Sequence, residues 1–472
     1  MSIQTDTLEQ IVSWREILSG KHLTNIAMLS MAVWLHASNS MLTATTMPNA
    51  VAEVGGLNLI SWTFALYLAG SITAGASIGL IVAQRGLRQM MMQAALVYTV
   101  GCIVCATAPS MPIILVGRSL QGLGGGGLLA LVYVAQDRFF PSHFVPKIVA
   151  CISAVWMVSA MAGPTIGGAF ATWGSWRGAY WVFGLQGLLL VAAIAILLPR
   201  GTKDTNANPQ RIPYVRLLFL TLSILFISLA GAEFHELRSP LLVLLGCASL
   251  AFFVIRDRNA DHSRMLPVQV LDTQHRIGSG ILATFLLCLG IMSFLVYGPL
   301  ILIELYGLSP FVAGLIVMLE SIAWSIAAIL YSNVNPAREG LVIRVGSALV
   351  VVGLVAMAIA LPLQNVWVLI GVVLISNGGF GMMWGFIIRR VVAAAPDEER
   401  DRTSSLVPIT QQTAFALGAA LCGLIANSLG LAEDSSHELI KSVSFWLFAG
   451  FVPVAFAGAF FAQRLARDHS TR

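Results

Sequence analysis

The chain has 472 residues, of which 57% are hydrophobic and only 10% charged, with a formal net charge of +5. Soluble globular proteins carry roughly one quarter charged residues, so this composition excludes that class and identifies an integral membrane protein. The basic excess is dispersed over many loops, which excludes the clustered patch of a nucleic-acid binder.

Residues 1–22 carry Arg15, Glu16 and Lys21 and have no small-residue cleavage site, so they read as a cytoplasmic N-terminal segment and not as a signal peptide. Beyond them, apolar windows of about 20 residues, the length that crosses about 30 Å of hydrocarbon, recur to the end of the chain. Fourteen such spans are predicted, at about 23–47, 58–82, 89–109, 111–137, 147–172, 177–198, 213–232, 240–255, 277–302, 310–332, 341–361, 366–389, 405–429 and 442–463.

Cytoplasmic loops carry the excess of Lys and Arg, which gives an independent check on that count. With the N-terminus inside, Arg85 and Arg88, Arg138 and Lys147, Arg200, Lys203 and Arg211 follow the second, fourth and sixth spans on the inner side. Arg256, Arg258, Arg264, Arg276, Arg338, Arg389, Arg390, Arg400, Arg402, Arg464, Arg467 and Arg472 continue the pattern; only Arg177, Arg238 and Lys441 fall outside. A span missed or invented in the middle would invert every later loop. The expectation is a multi-pass protein of the cell (inner) membrane with both termini cytoplasmic.

Polar stretches at 199–213 and 256–276 divide the spans into six, two and six. The predicted parts are an N-terminal six-helix bundle over 23–198, cytoplasmic loops with two extra helices over 199–276, a C-terminal six-helix bundle over 277–463 and a cytoplasmic tail over 464–472. Within the linker, Leu266-Pro267-Val268-Gln269-Val270-Leu271 is amphipathic and is expected at the cytoplasmic surface. Sequence similarity between the halves is weak, but two bundles around a central site is the plan of rocking transporters.

The fourth span reads Arg118-Ser119-Leu120-Gln121-Gly122-Leu123-Gly124-Gly125-Gly126-Gly127. An arginine inside a span costs about 2.5–3.5 kcal/mol on insertion scales, so Arg118 should face a watery interior or a hydrogen-bonding partner, unless it snorkels to the near surface. Gln121 lies on its face, and Gly122 and Gly126 form a flat surface for another helix. The formal Gly-x-Gly-x-x-Gly match has no strand before it and lies in a membrane helix, so it is not a nucleotide loop. In the fifth span, Gly163-Pro164-Thr165-Ile166-Gly167-Gly168 places a proline among three glycines, where lipid offers no water to a broken helix end. The reading is a continuous helix bent at Pro164, with Gly163 and Gly167 admitting a close neighbour.

Taken together, these segments resemble the major facilitator superfamily, specifically its fourteen-helix drug:proton antiporter branch. Arg118-x-x-Gln121-Gly122-x-Gly124 is similar to the family's fourth-helix motif and Gly163-Pro164-x-x-Gly167-Gly168 to its fifth-helix antiporter motif. Ser175-Trp176-Arg177 and Gly307-Leu308-Ser309-Pro310-x-x-Ala313-Gly314 fit the same branch. The resemblance implies the major facilitator fold, alternating access, and export of an amphipathic organic compound driven by proton entry. Two positions depart from it: Asn39 stands where the branch has a first-helix aspartate, and Ala83 stands where the loop motif Gly79…Gly86-x-Arg88 has its aspartate. Asp137 and Arg138 are the expected substitute for that latch.

Proton coupling or gating is therefore assigned to other groups: Glu320 in the middle of the tenth span, His36 in the first, and Arg118, Gln121 and Asp137 in the fourth. Glu320 and His36 could each instead be hydrogen-bonded packing residues, and Glu53 and Glu304 read as solvated edge groups. Substrate contact is assigned to mid-depth aromatic and amide side chains: Trp34, Asn39, Trp62, Trp156, Trp324, Asn377, Trp384, Gln411 and Gln412. Gly163, Pro164, Gly167, Gly168, Gly122 and Gly126 are assigned to hinge and packing.

The six cysteines all fall in spans and read as small apolar packing residues, Cys102-x-x-Cys105 included. No metal site, cofactor or enzyme chemistry is expected, since the loop histidines have no paired ligand spacing and no phosphate loop marks an ATPase. The expected partners are a small organic substrate, protons and the bilayer, for a monomer. The alternative function is uptake or uniport of a small organic metabolite on the same scaffold with atypical or no proton coupling.

Overall fold

The computed structural model describes residues 20–140, 144–199, 213–260, 264–434 and 436–467. The N-terminal lead-in, the 200–212 loop and the last residues of the tail lie outside them, as do the side chains of Ala83 and Asp137. The described residues are helical with no strand: α1 Gly20–Val54, α2 Trp62–Arg85, α3 Leu87–Thr107, α4 Met111–Phe139, α5 Val145–Trp173, α6 Trp176–Leu197, α7 Tyr214–Ala232, α8 Arg238–Arg258, α9 Arg276–Glu304, α10 Pro310–Tyr331, α11 Glu339–Ala360, α12 Val366–Ala393, α13 Arg400–Ser428, α14 His437–Ala449 and α15 Val452–Leu465.

Thirteen helical stretches are long and apolar enough to cross a membrane, with α14 and α15 together forming the last. The fourteenth span is α1, whose 35 residues include Ser38, Asn39, Ser40, Thr43, Thr45, Thr46 and Asn49. Its hydropathy is low because it faces protein: Ala32, Val33, Leu35 and the run from Leu42 to Met47 are buried. Side-chain hydroxyls there bond back to the helix, as Thr43 does to the Asn39 carbonyl at 3.2 Å. The final span, expected as one helix, breaks at Gly450-Phe451. Pro453 sits in the first turn of α15, where its missing N–H costs nothing, whereas in an unbroken helix it would leave the Ala449 carbonyl without a donor.

The packing repeats itself. In the first set of helices, α2 and α3 lie on α4, α1 lies on α4 and α5, and α1 and α3 lie on α6. In the second, α10 and α11 lie on α12, α9 lies on α12 and α13, and α9 and α11 lie on the α14/α15 span, so each helix has its counterpart eight numbers later. This duplicated contact pattern is much clearer than any duplication in the sequence. Glycine sets the closest approaches: a side-chain carbon on Gly124 would lie 2.6 Å from the Ala94 carbonyl and one on Gly126 would meet Ser71.

Between the sets lie two seams, α5 against α10 and α2 against α13, related by the same shift of eight. The helix directions put Arg85, Arg138, Arg258 and Arg390 at one end, here called the basic end. At the opposite end the seams are tight. A side-chain carbon on Gly168 would lie 2.5 Å from the Pro310 carbonyl, and Thr172 Oγ1 accepts from the Phe311 amide at 2.9 Å. On the second seam, Asn427 Nδ2 donates to the Asn58 carbonyl at 2.9 Å.

Helices α7 and α8 pack as a hairpin, with α7 against α2 and α13. Trp62 Nε1 donates to the Ser228 carbonyl at 3.0 Å, Asn58 Nδ2 to Ala232 at 2.9 Å and Asn427 Nδ2 to Gly231 at 2.5 Å. At the basic end, buried Asp257 pairs with Arg216 at 2.5 Å and accepts from the Met265 and Leu266 amides. That pairing anchors the stretch read as amphipathic, which forms a short 3-10 turn, Val268–Leu271, with Val268 and Leu271 exposed.

Candidate functional site

The most polar point inside the first set of helices is built on Arg118. This guanidinium is fully buried, which removes the snorkelling alternative. Its Nη1 donates to Asn39 Oδ1 at 2.6 Å and to Gln121 Oε1 at 2.7 Å, its Nε donates to the Thr63 carbonyl at 3.0 Å, and it lies 4.2 Å from the Tyr67 ring centroid. Every one of these partners is neutral. Asn39, grouped with the substrate contacts from sequence, is itself fully buried against Arg118 and so lines no open space.

His36 is buried against the same Tyr67 that lies beneath Arg118. Tyr67 Oη lies 2.9 Å from His36 Nδ1 and donates to the His36 carbonyl at 2.8 Å. A phenol has one proton, so if it goes to the carbonyl, Nδ1 carries the hydrogen and donates to Oη. Trp156 meets the His36 ring edge-on at 5.8 Å. The histidine is thereby held as a hydrogen-bonded part of the α1–α2 contact.

In the second set, Glu320 on α10 is half-buried, and Asn377 Nδ2 donates to its Oε1 at 3.3 Å and to the Val373 carbonyl at 3.2 Å. A small cavity of about 20 Å³, bordered by Ile291, Phe294, Leu354, Ser376, Asn377 and Glu320, adjoins the carboxyl. That volume suffices for one water molecule. One turn further along α10, Trp324 packs on Phe380 at 4.5 Å and on Trp384 at 6.0 Å, forming a three-ring aromatic wall.

The remaining candidates scatter. Trp34 donates to Gln186 Oε1 at 3.0 Å and borders an apolar cleft of about 400 Å³ between α1 and α5. Trp62 is turned onto α7, away from the Arg118 and Glu320 clusters. Gln412 accepts from Ser71 at 3.4 Å across the α2/α13 seam, and Gln411 is half-buried beside it. Gly163 and Gly167 lie against Ser38 and Leu42 of α1, and Gly168 against α10, so the antiporter-like run contacts both sets of helices.

Three pairings were not anticipated. Glu339 at the start of α11 bonds both Arg389 and, at 3.5 Å, Arg390 of α12. Arg390 Nη1 also reaches the Leu465 carbonyl of α15 at 3.2 Å. This charge latch sits in the second-set counterpart of the α2–α3 connection, a signal legible only once the repeat is known. Glu53, read as a solvated edge group, accepts from Trp176 Nε1 at 2.7 Å and from Arg177, which also donates to the Ala108 carbonyl at 2.7 Å. These two hydrogen bonds, Trp176 first, hold the Glu53 carboxyl below the usual range. The third is the Asp257–Arg216 pair in the linker hairpin.

Comparison with known proteins follows the same line. The chain is 29% identical over 445 residues to the "Probable multidrug-efflux transporter Rv1634" of Mycobacterium tuberculosis, covering 90% of this chain and 92% of that protein. It is 22% identical to the multidrug efflux pump SdrM of Staphylococcus aureus, over 90% and 94% of the two chains. Among solved structures it resembles a POT family transporter in complex with 5-aminolevulinic acid, with a TM-score of 0.67, 14% identity and coverage of 94% and 96%. A D-xylose-proton symporter aligns with a TM-score of 0.62 and 14% identity, over 92% of this chain and 97% of that one. At such identities the structural likeness concerns the fold alone. The family model described as Major Facilitator Superfamily matches residues 29–419. With its fourteen spans and duplicated six-helix packing, the chain belongs to the major facilitator superfamily.

Proposed function

We propose that this transporter exports amphipathic organic compounds by alternating access, with Glu320 exchanging protons against the substrate. The observation that carries the reading is the interior charge inventory. Arg118 has only neutral hydrogen-bond partners, and Glu320 is a spanning carboxyl whose hydrogen-bond donor, Asn377, is also neutral. Among the described residues no ion pair is recorded for Glu320, so gaining or losing a proton there breaks no salt bridge. The Trp324, Phe380 and Trp384 wall one turn away supplies flat apolar surface for an aromatic or cationic substrate. The names of the mycobacterial and staphylococcal relatives support efflux as the direction.

In this reading the basic end is cytoplasmic, the protein sits as a monomer in the inner membrane, and the seams closed at the opposite end describe a conformer shut to the outside. The parts of the chain are the two six-helix bundles, 23–198 and 277–463, with the 199–276 linker between them. A second reading, uptake or uniport, draws on one observation: the first-helix position against Arg118 is Asn39, which cannot titrate.

The test is proton release. Addition of ethidium to the purified protein in weak buffer should release about one proton per molecule bound, and none from Glu320→Gln, because substrate and proton compete for one carboxyl. Binding without release in the parent would overturn antiport. Equal release from Glu320→Gln would overturn the assignment to Glu320.

A further inference from the structure

The proline of α5 leaves a debt that α10 settles. In a helix the amide of residue 164 would donate to the Ala160 carbonyl, but Pro164 has no N–H, so that carbonyl has lost its own partner in a region without bulk water. Ser321 of α10 donates its hydroxyl to the Ala160 carbonyl at 3.2 Å. The bond crosses the α5/α10 seam, between the two sets of helices that must separate if the transporter rocks. Around it the seam is tight. A side-chain carbon on Gly314 would lie 2.5 Å from the Pro164 carbonyl, and Thr165 Oγ1 lies 3.6 Å from Met318 Sδ.

We propose that Ser321 is the seam-locking residue of this transporter: it pairs with the carbonyl that Pro164 frees, and so stabilises the conformer in which α5 and α10 are closed. When the seam opens, that carbonyl must find water or stay unpaired, so opening carries a penalty that an ordinary helix in the place of α5 would not impose. Ser321 directly follows Glu320, about 100° round the helix, so one face of α10 turns to the carboxyl cluster and the next to the seam. A movement of α10 at Glu320 is therefore transmitted to the lock. The lock itself stands whether or not Glu320 carries the coupling proton.

The test compares Ser321→Thr, which keeps the hydroxyl, with the equally sized Ser321→Val, in the full chain in nanodiscs without substrate or gradient. Hydrogen–deuterium exchange is read in peptides covering residues 155–172 and 310–325. Ser321→Val should exchange faster by on the order of tenfold, the loss expected when a buried acceptor goes unpaired, while Ser321→Thr stays near the parent. In a Pro164→Ala background the restored amide caps Ala160, so Thr and Val should become indistinguishable. Equal exchange for Thr and Val with Pro164 present would overturn the proposal. So would a Val effect that persists undiminished beside Pro164→Ala. If the Pro164→Ala protein does not fold, the Thr and Val comparison decides alone. Because no transport is measured, failure here is distinct from failure of the efflux reading.

Discussion

Replacement of Asn39 probes whether Arg118 is a buried cation held only by neutral groups. Asn39→Leu keeps the branched outline of the side chain but removes the Oδ1 that accepts from Nη1 at 2.6 Å, leaving Gln121 and the Thr63 carbonyl. Hydrogen bonds to charged groups contribute about 1.5–3 kcal/mol, so a loss of about 2 kcal/mol is expected. At about 2–4 °C per kcal/mol for a unit of 150–250 residues, the size of one six-helix bundle, that is a fall in Tm of about 4–8 °C. Asn39→Asp makes an ion pair in the same geometry. Charges about 4 Å apart attract by about 4 kcal/mol at an effective dielectric of 20, against a desolvation cost of several kcal/mol for the new carboxylate. The two nearly cancel, so the Asp variant should melt within a degree or two of the parent. The assay is thermal unfolding of detergent-purified protein followed by tryptophan fluorescence. Equal destabilisation by Leu and Asp would refute the reasoning, since a carboxylate can replace the amide only if Arg118 carries an unneutralised charge.

Three further outcomes are expected. Gly122→Val should abolish recovery of monodisperse protein on size exclusion, because any side chain there strikes the Tyr67 backbone, whereas Gly378→Ala, with open space around it, should be recovered like the parent. Glu53→Gln should lower Tm at neutral pH but not at acidic pH. The folded carboxyl lies below its usual range, so its contribution is complete above the unfolded value and disappears as pH falls through the folded one. Trp384→Ala should weaken ethidium binding by about tenfold, the worth of one aromatic or cation–π contact, while Trp62→Ala, on the linker hairpin, should leave affinity unchanged.

Much of this architecture is legible along the chain because its causes are local. Span length and the alternation of basic loops are properties of contiguous residues, and they predict the helices α2 to α13 to within a few positions. The same logic misjudges the last span. Helix α1, expected over 23–47, tolerates its polar residues because it is enclosed by α4, α5 and α6, whereas the last span, expected as one helix, divides at Gly450 because Pro453 follows it. The site is less legible than the fold. Arg118 demands a partner, but which one depends on the approach of α1, 79 residues away in sequence. That approach turns Asn39 from an apparent cavity amide into the arginine's acceptor. The partner of Asn377 is likewise hidden until α12 brings it to Glu320, 57 residues away in sequence. That Pro164 leaves the Ala160 carbonyl without its helical donor follows from the sequence, but the hydroxyl that meets it, Ser321, lies in the other bundle.

The central claim is that a proton gradient drives export through Glu320. Its most direct test is ethidium transport in proteoliposomes with and without an imposed pH gradient, comparing the parent with Glu320→Gln. The account predicts uphill movement by the parent only when the gradient is present, and downhill exchange but no uphill movement by Glu320→Gln. Uphill transport by Glu320→Gln at the parental rate, or transport by the parent that ignores the gradient, would contradict it.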